Sequence, residues 1–356
     1  MRSISDAAAL AKDGDVVEIE AGDYAGDVAI WTQRKLAIRA VDGPVRINAM
    51  GMSAEGKAIW VMRGGEFSVE GIEFSNTKVP DRNGAGIRLE SGMLTVRKCR
   101  FLENQNGILV ANKPDISLFI HDSEFGHNGD STGQTHNLYV GRIARLVVTG
   151  SYFHHAKVGH LLKSRAASNY IAYNRLTDEP GGKASYELEF PDGGVAVVVG
   201  NLIQQEATTD NSAVVSYGAE GTHAQNALYL SHNTLVNDRP NGGDYVVVRK
   251  GEPRVVAYNN LLVGGKMWKL PAGSVEQGTV MTSWEDFALA VRQDFRPKRA
   301  AKWLGKAVTI PAGTLPPALV DAGMSLTPQA EFVPPVGLRK LAAVPANPGF
   351  SQQILP

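Results

Sequence analysis

The chain of 356 residues carries 36 Lys and Arg against 36 Asp and Glu, so its formal net charge is zero, and 43% of its residues are hydrophobic. Zero net charge argues against a nucleic-acid-binding protein and against electrostatic binding to a membrane surface, both of which use a basic surplus. The single cysteine excludes an internal disulfide and any metal site built from several thiolates, and no apolar run reaches the ~20 residues that span a bilayer.

The N-terminal segment predicts a short capping helix over residues 3–12. It opens at Ser3, carries Asp6 three residues later, and ends before Gly14. The following segment, DVVEIEAGDY, has the composition of a strand. We therefore expect the helix to cover the open end of a β-structure and to hinder edge-to-edge association.

A repeat dominates the middle of the chain. A short strand, a polar residue, a spacer and a bulky apolar residue recur, and the apolar positions are Phe74, Phe101, Phe125, Phe153, Leu176, Ile203, Leu235 and Leu262. The intervals are 27, 24, 28, 23, 27, 32 and 27 residues. Between these positions lie second short strands, in residues 85–90, 106–111, 136–141, 160–165, 185–190 and 213–218. A unit of about 25 residues cannot bury its own apolar face, so its copies must stack.

These features predict an all-β fold, a right-handed parallel β-helix with an N-terminal capping helix and an irregular C-terminal tail. A leucine-rich repeat has a similar period, but its leucine pattern is missing. Four asparagines at matching turns predict a ladder of side-chain amides along the stack: Asn174, Asn201, Asn233 and Asn260.

The repeat ends near residue 265, which divides the chain into a β-helix (1–265) and an extension (266–356). The extension is rich in proline, and only residues 283–295 have a helical pattern. We expect the extension to pack along the β-helix rather than to form a catalytic domain.

The second strands can be aligned on their first inward apolar residues, which are Ile87, Ile108, Leu138, Leu162 and Leu188. Because side chains alternate and coils lie about 4.8 Å apart, one patch of the outer face should collect Tyr139, Lys163, Arg165, Glu187 and Glu189. The same alignment places Asn137, His136 and His160 at the start of these strands. The charges alone suit a solvated ion-pair cluster, but the long polar loops at 127–135 and 177–185 and the tyrosines of these coils favour a groove. We therefore expect these three residues, the two glutamates and the nearby Tyr217 to bind substrate.

The capping helix, the AGDY turn and the repeated N-x-L/F coils resemble the pectate-lyase-like superfamily of polysaccharide-active β-helix proteins over residues 3–265. A narrower resemblance is to the alginate and chondroitin lyases of that fold, which have a Lys-Ser pair ahead of the Asn turn of the same coil. Here the matching residues are Lys163 and Ser164, followed by Asn169 and the turn at 174–176. That resemblance implies that Lys163 is the catalytic base. Those lyases have an arginine on the next coil, where this chain has Glu189.

The leading hypothesis is β-elimination on a polysaccharide that contains uronic acid. Arg165 would bind the C5 carboxylate, Lys163 would remove the C5 proton, and Tyr139 would protonate the leaving oxygen, with His136 or His160 as substitutes. Lys163 must be neutral to act as a base. Arg165 favours that form, whereas Glu189 opposes it.

Two alternatives stay open at this point. The chain could be a glycoside hydrolase that uses Glu187, Glu189 and Asp192 as acid and base, because the two glutamates are expected to project from the same side of a strand. It could equally be a glycan-binding β-helix without catalytic activity.

No spacing in the sequence defines a metal site. Calcium could be held by Asp178, Glu179, Glu187 or Asp192, and the adjacent His154 and His155 are expected to have a turn or surface role.

We expect the partner to be an acidic polysaccharide, with no nucleic acid or membrane partner, and the protein to be a monomer. Because work on polysaccharides implies export, we expect a secreted or periplasmic protein from which a leader has been removed.

Overall fold

A computed structural model describes residues 3–264 and 267–355 of the chain. Two short α-helices occur, α1 (Ile4–Leu10) and α2 (Pro317–Asp321), with single 3-10 turns at Trp284–Asp286 and Ala290–Arg292. The first half of the strands, in chain order, is β1 (Val16–Ala25), β2 (Ala29–Trp31), β3 (Lys35–Asn48), β4 (Ala58–Met62), β5 (Gly65–Glu70), β6 (Ile72–Ser75), β7 (Ala85–Leu89), β8 (Gly92–Arg97), β9 (Arg100–Leu102), β10 (Asn106–Val110), β11 (Ser117–His121), β12 (Glu124–Gly126), β13 (Leu138–Val140), β14 (Arg145–Thr149), β15 (Tyr152–His154), β16 (Leu162–Ser164) and β17 (Ser168–Ala172). The second half is β18 (Arg175–Thr177), β19 (Leu188–Phe190), β20 (Val195–Val199), β21 (Leu202–Gln205), β22 (Ala213–Tyr217), β23 (Ala227–Ser231), β24 (Thr234–Asn237), β25 (Asp244–Val248), β26 (Arg254–Tyr258), β27 (Leu261–Val263), β28 (Val275–Gln277), β29 (Val280–Thr282), β30 (Phe287–Leu289), β31 (Asp294–Pro297), β32 (Ala330–Phe332) and β33 (Leu338–Lys340).

The strands form a parallel β-helix, as the repeat predicts. A 9-stranded sheet, here called the small sheet, takes one strand from each coil, in the order β2, β4, β7, β10, β13, β16, β19, β22 and β25. A 20-stranded sheet, here called the large sheet, contains two successive strands from most coils, such as β14 and β15. Each strand pairs in parallel with its equivalent in the next coil, so the predicted all-β β-helix is confirmed.

Equivalent residues stack along the axis inside the coils. Phe74, Phe101, Phe125 and Phe153 form a column of rings with centroids 5.1, 4.7 and 4.6 Å apart. The predicted asparagine ladder is confirmed, because the side-chain amide of each of Asn174, Asn201 and Asn233 donates to the next asparagine at 3.0 Å. The two columns fix the register between coils, and with it the position of every outward side chain.

The predicted capping helix is present as α1. Ser3 is its N-cap, and its hydroxyl accepts a hydrogen bond from the backbone N–H of Asp6 at 3.0 Å. The buried side chains of Ile4 and Ala8 join the interior core and cover the end of the first coil.

The C-terminal region differs in part from the prediction. The predicted boundary at 265/266 lies outside the described residues, but β28 and β29 continue the large sheet beyond it. Residues 283–295 are not a helix: they form the two 3-10 turns, and β30 pairs with β31 in an antiparallel hairpin. Phe287 and Phe295 both pack against the β-helix, and this tertiary packing overrides the local helical pattern.

The tail packs on the outer face of the large sheet, as expected. Leu315, Met324 and Leu326 share a buried cluster with Tyr170 and Tyr229 of that face. Within residues 3–264 and 267–355, no helix is long and apolar enough to cross a membrane.

Candidate functional site

Three strands of the small sheet bring the predicted catalytic residues together. Tyr139 of β13 pairs with Lys163 of β16, which pairs with Glu189 of β19, in the register that the sequence alignment gives. The neighbouring residues Leu138 and Leu162 are fully buried in the interior. Because side chains alternate along a strand, the three functional side chains lie on the opposite, outer face.

These residues belong to a network of ion pairs, here called the charged patch, which consists of Tyr139, Arg142, Lys163, Arg165, Glu189, Asp192 and Glu220. Nε of Arg165 donates to the hydroxyl of Tyr139 at 3.1 Å, and its terminal nitrogens lie 2.7 Å from Asp192 and 2.6 Å from Glu220. Arg142 holds the other oxygen of Asp192 at 2.6 Å. Nζ of Lys163 lies 3.2 Å from the carboxylate of Glu189 and 3.2 Å from that of Glu220.

Glu220 is more exposed than the two cations that it bridges. Its side chain is 49% exposed, against 12% for Lys163 and 16% for Arg165. Partial burial raises its pKa, but hydrogen bonds from Arg165 and Lys163 outweigh that effect and lower it. Glu220 comes from the loop between β22 and β23, whose backbone is held by Pro191 and by Lys250. A carboxylate therefore lies over two cations at a place that solvent reaches.

Two buried histidines support the patch from the start of the strands. Nε2 of His160 lies 2.8 Å from the carboxylate of Glu189, and its ring meets that of His136 with centroids 4.6 Å apart. The ring of His136 stacks on Tyr139 at 5.5 Å. Burial lowers the pKa of both histidines, although in His160 the hydrogen bond to Glu189 works in the opposite direction. Both imidazoles are buried, and they contact Tyr139 and Glu189 rather than face solvent.

Three residues that we expected to bind substrate lie in the interior instead. Glu187 is fully buried, with Nε2 of Gln205 at 3.4 Å, and Asn137 is fully buried and donates to the backbone oxygen of His154 at 2.8 Å. Both precede their strands, at the corner where the chain turns from the large to the small sheet, and strict alternation does not extend to a corner. Tyr217 pairs in register with Phe190, points inward and is fully buried.

Arg142 and Glu220 are functional candidates that the sequence reasoning missed. Arg142 and Asp192 occupy equivalent positions, each four residues after the inward leucine that aligns β13 and β19, so the register could have placed them together. Glu220 lies in a loop whose length follows no repeat, and no pattern in the sequence predicts that it reaches Lys163.

The acidic residues considered for calcium do not converge. Glu179 is ion-paired with Arg175, and Asp192 with two arginines of the patch, whereas Asp178 and Glu187 are buried in the interior. These four carboxylates therefore do not fit a calcium site.

A possible metal-ligating group lies elsewhere, contrary to the expectation for His154 and His155. Across the described part of the chain, one group of three or more His, Cys, Asp or Glu residues has its ligand atoms within 4.8 Å of one another, and it consists of His127, His154 and His155. Partial burial lowers the pKa of His127 and of His155.

Comparison with known proteins yields a likeness of fold. No protein-family model matches the sequence, and no curated protein matches it. Among solved structures, the chain is similar to the crystal structure of pectate lyase Pel9A, with a TM-score of 0.55, 12% sequence identity and coverage of 87% of each chain. An identity this low supports the fold alone. The chain therefore shares the parallel β-helix fold of pectate lyase Pel9A.

Proposed function

We propose that this protein is a polysaccharide lyase that cleaves a uronic-acid-containing polysaccharide by β-elimination at the charged patch. One observation carries the proposal: the carboxylate of Glu220 is held by both Lys163 and Arg165, beside the hydroxyl of Tyr139. The patch is thus built to hold a carboxylate between two cations, with groups that transfer protons next to it. A uronate carboxylate would replace that of Glu220. The fold shared with pectate lyase Pel9A supports the same reaction class.

Arg165 has the role of neutralising the substrate carboxylate. β-Elimination removes the C5 proton, forms the C4–C5 double bond and breaks the bond from C4 to the leaving glycosidic oxygen. Negative charge develops on the C5 carboxylate as the proton leaves, so a guanidinium paired with that carboxylate stabilises the transition state. Asp192 and Tyr139 hold the guanidinium in place at 2.7 and 3.1 Å.

Lys163 and Tyr139 divide the proton transfers. Lys163 removes the C5 proton, and the hydroxyl of Tyr139, on the adjacent coil, protonates the leaving oxygen. Nζ of Lys163 lies 3.2 Å from the carboxylate of Glu189 and 3.2 Å from that of Glu220. The substrate carboxylate would take the place of Glu220 beside Lys163, while His160 holds the carboxylate of Glu189 at 2.8 Å.

The proposal is tested by incubating the full chain with a panel of uronate polymers and following the ultraviolet absorbance of the unsaturated product. We expect turnover with at least one polymer and a loss of kcat of about 100-fold or more in Lys163→Ala, because a positioned acid or base contributes about 10²–10⁴-fold. The control is Lys35→Ala, which removes an exposed lysine at the start of β3 and should leave kcat unchanged. Absence of the unsaturated product with every polymer, in a protein with an intact β-sheet spectrum, would contradict the proposal.

A glycan-binding protein without activity is the second candidate. It is favoured by one observation: Lys163, Arg165 and Arg142 are each already paired with a carboxylate of the patch. A binder would retain affinity for a uronate oligosaccharide and release no product. The hydrolase alternative is weakened because Glu187 is buried, and it would be recognised by new reducing ends without the unsaturated chromophore.

A further inference from the structure

The three clustered histidines owe their proximity to the stacking of two coils. Gly126 of β12 pairs in register with His154 of β15, so His127 and His155 follow at equivalent places one coil apart. Both have a left-handed backbone, with φ of 57° and 46°, which shows that the two coils make the same turn. Their rings consequently stack, with centroids 4.5 Å apart and an interplanar angle of 22°.

His154 joins this pair because Gly126 leaves room for its ring. A Cβ atom at position 126 would lie 2.2 Å from Cε1 of His154, so any other residue there would displace the imidazole. The ring of His154 lies 5.2 Å from that of His127 and 5.0 Å from that of His155. Nδ1 of His154 faces Nδ1 of His155 at 2.8 Å. At this distance one ring N–H donates to the lone pair of the other imidazole, and a cation bound by both nitrogens would replace that hydrogen bond.

An acidic residue orients His154 on its other side. Nε2 of His154 lies 3.2 Å from the carboxylate of Glu124, whose second oxygen accepts a hydrogen bond from Arg100 at 2.7 Å. Because Nε2 of His154 donates its proton to the carboxylate, Nδ1 carries no proton and its lone pair points toward His155. In metal sites a ligating histidine commonly donates its other ring N–H to a carboxylate, which fixes its tautomer.

We propose that His127, His154 and His155 bind a transition-metal ion that prefers nitrogen ligands, with Zn²⁺ as the reference ion. Three imidazoles with a fourth position left for water match the ligand set of an open zinc site, in which Zn–N distances are about 2.0–2.1 Å. The ligand atoms lie within 4.8 Å of one another, so binding of a shared ion requires rotation of the side chains. Carboxylates and hydroxyl groups, the ligands that calcium and magnesium prefer, are not members of the cluster.

The metal would join two loops that border the charged patch. His127 begins the loop that leads to β13, and His155 begins the loop that leads to β16, which carries Lys163. The backbone of these loops is already connected, since N–H of Lys157 donates to the carbonyl of Asn128 at 2.8 Å. A metal on His127 and His155 would cross-link the same two loops through their side chains. This proposal is independent of the lyase activity.

The experiment titrates the full chain, freed of metal by a chelator, with Zn²⁺ in a calorimeter and with Co²⁺ in a visible spectrometer. We expect one equivalent of Zn²⁺ to bind and the Co²⁺ complex to show the visible bands of a four-coordinate site. The variants are His127→Asn and His155→Asn, because asparagine tolerates the left-handed backbone at both positions. Each should weaken the Kd for Zn²⁺ by at least about 10-fold, and Glu124→Gln by about 10-fold or more.

The matched control is His121→Asn, which removes an imidazole whose Nδ1 contacts Thr149 on the same sheet, outside the cluster. Its Zn²⁺ affinity should equal that of the parent chain. The proposal would be overturned if Zn²⁺ produced no heat of binding and Co²⁺ no visible bands. It would also be overturned if several equivalents bound with an affinity that the His127 and His155 variants leave unchanged, or if the control lost as much Zn²⁺ affinity as those variants. Circular dichroism of each variant establishes that its β-helix is intact.

Discussion

Asp178 and Glu187 are two acidic side chains that the fold buries close together at one corner of the β-helix. Both are fully buried, and one oxygen of each has no hydrogen-bond partner within the described structure. Burial, with smaller contributions from Glu206 and Glu179, raises the pKa of Asp178 to about 7. Burial and the neighbouring Asp178 raise the pKa of Glu187 well above its ordinary range, although Arg239 opposes this. The folded protein therefore holds protons here that the unfolded chain has released.

This difference predicts that Asp178→Asn changes the pH dependence of stability. Between about pH 4 and about pH 7 the native state binds more protons than the unfolded state, so the contribution of Asp178 to stability is complete at low pH and is lost as the pH rises. Asparagine keeps an oxygen for the hydrogen bond from the N–H of Ala184 and does not titrate. We expect the free energy of unfolding of the parent chain to fall, relative to that of Asp178→Asn, by up to about 1.4 kcal/mol per pH unit.

Urea unfolding of both proteins across this pH range measures the effect. The difference between them is the relevant quantity, because burial lowers the pKa of His136 and of His232 and these histidines change stability with the opposite sign. Glu187→Gln should give a difference of the same sign. Asp23→Asn, at a side chain that is 81% exposed, is the control. A difference between the parent and Asp178→Asn that is constant with pH would show that Asp178 is ionised throughout.

At the scale of single elements, the loop between β22 and β23 places Glu220 over the cations of the charged patch. Its Glu220 carboxylate bridges Lys163 and Arg165 and competes with any acidic ligand for both cations. We predict that Glu220→Gln binds a uronate oligosaccharide more tightly than the parent chain. An exposed ion pair contributes about 0.5–1 kcal/mol, so the Kd should fall by about 2- to 5-fold. Calorimetry with the oligosaccharide measures this change whether or not the polymer is cleaved.

The control for this measurement is Glu66→Gln, which removes one exposed negative charge from β5 and leaves the patch intact. Its Kd should not change at moderate ionic strength, where charges that are far apart are screened. Weaker binding by Glu220→Gln would mean that Glu220 helps to hold the ligand rather than to exclude it.

The strands and their register could be predicted from the sequence because a solenoid makes spatial neighbours out of residues one period apart. The alignment of Leu138, Leu162 and Leu188 sufficed to place Tyr139 beside Lys163. The prediction failed where the chain leaves the regular strand. Glu187 lies at a corner and turns inward, and Glu220 reaches the patch through a loop of irregular length. Their positions depend on tertiary packing that has no local signal.

The histidine cluster and the tail illustrate the same limit. His127 and His155 follow equivalent strands, so the repeat period could have predicted that they stack. His154 joins them because of the space above Gly126, which the period does not predict. In residues 283–295 the apolar spacing suits a helix, yet Phe287 and Phe295 pack on the solenoid from the two strands of a hairpin.

At the scale of the whole molecule, the outer face of the large sheet is apolar in the coils from β14 to β26, and the tail covers this part. The interior core is separate from this face: Ile171 and Val198 belong to the interior, whereas the alternate residues Tyr170 and Val197 pack under the tail. Hydrogen bonds also join the tail to the sheet, including one from the hydroxyl of Ser231 to the carbonyl of Leu326 at 2.7 Å. The β-helix and its tail should therefore separate without unfolding of the coils.

We predict that Leu326→Asp releases the tail and leaves the β-helix folded. Leu326 is 5% exposed, and an unpaired carboxylate at this place costs several kcal/mol, enough to break the contact between the tail and the sheet. Limited proteolysis should then cut within residues 300–355 several-fold faster, and a dye that fluoresces on apolar surfaces should bind to the uncovered sheet. The control is Val320→Asp in α2, where the side chain is 54% exposed and the substitution should have little effect. If Leu326→Asp instead loses its β-sheet circular dichroism, the tail and the β-helix form one cooperative folding unit, and the β-helix is not stable without the tail.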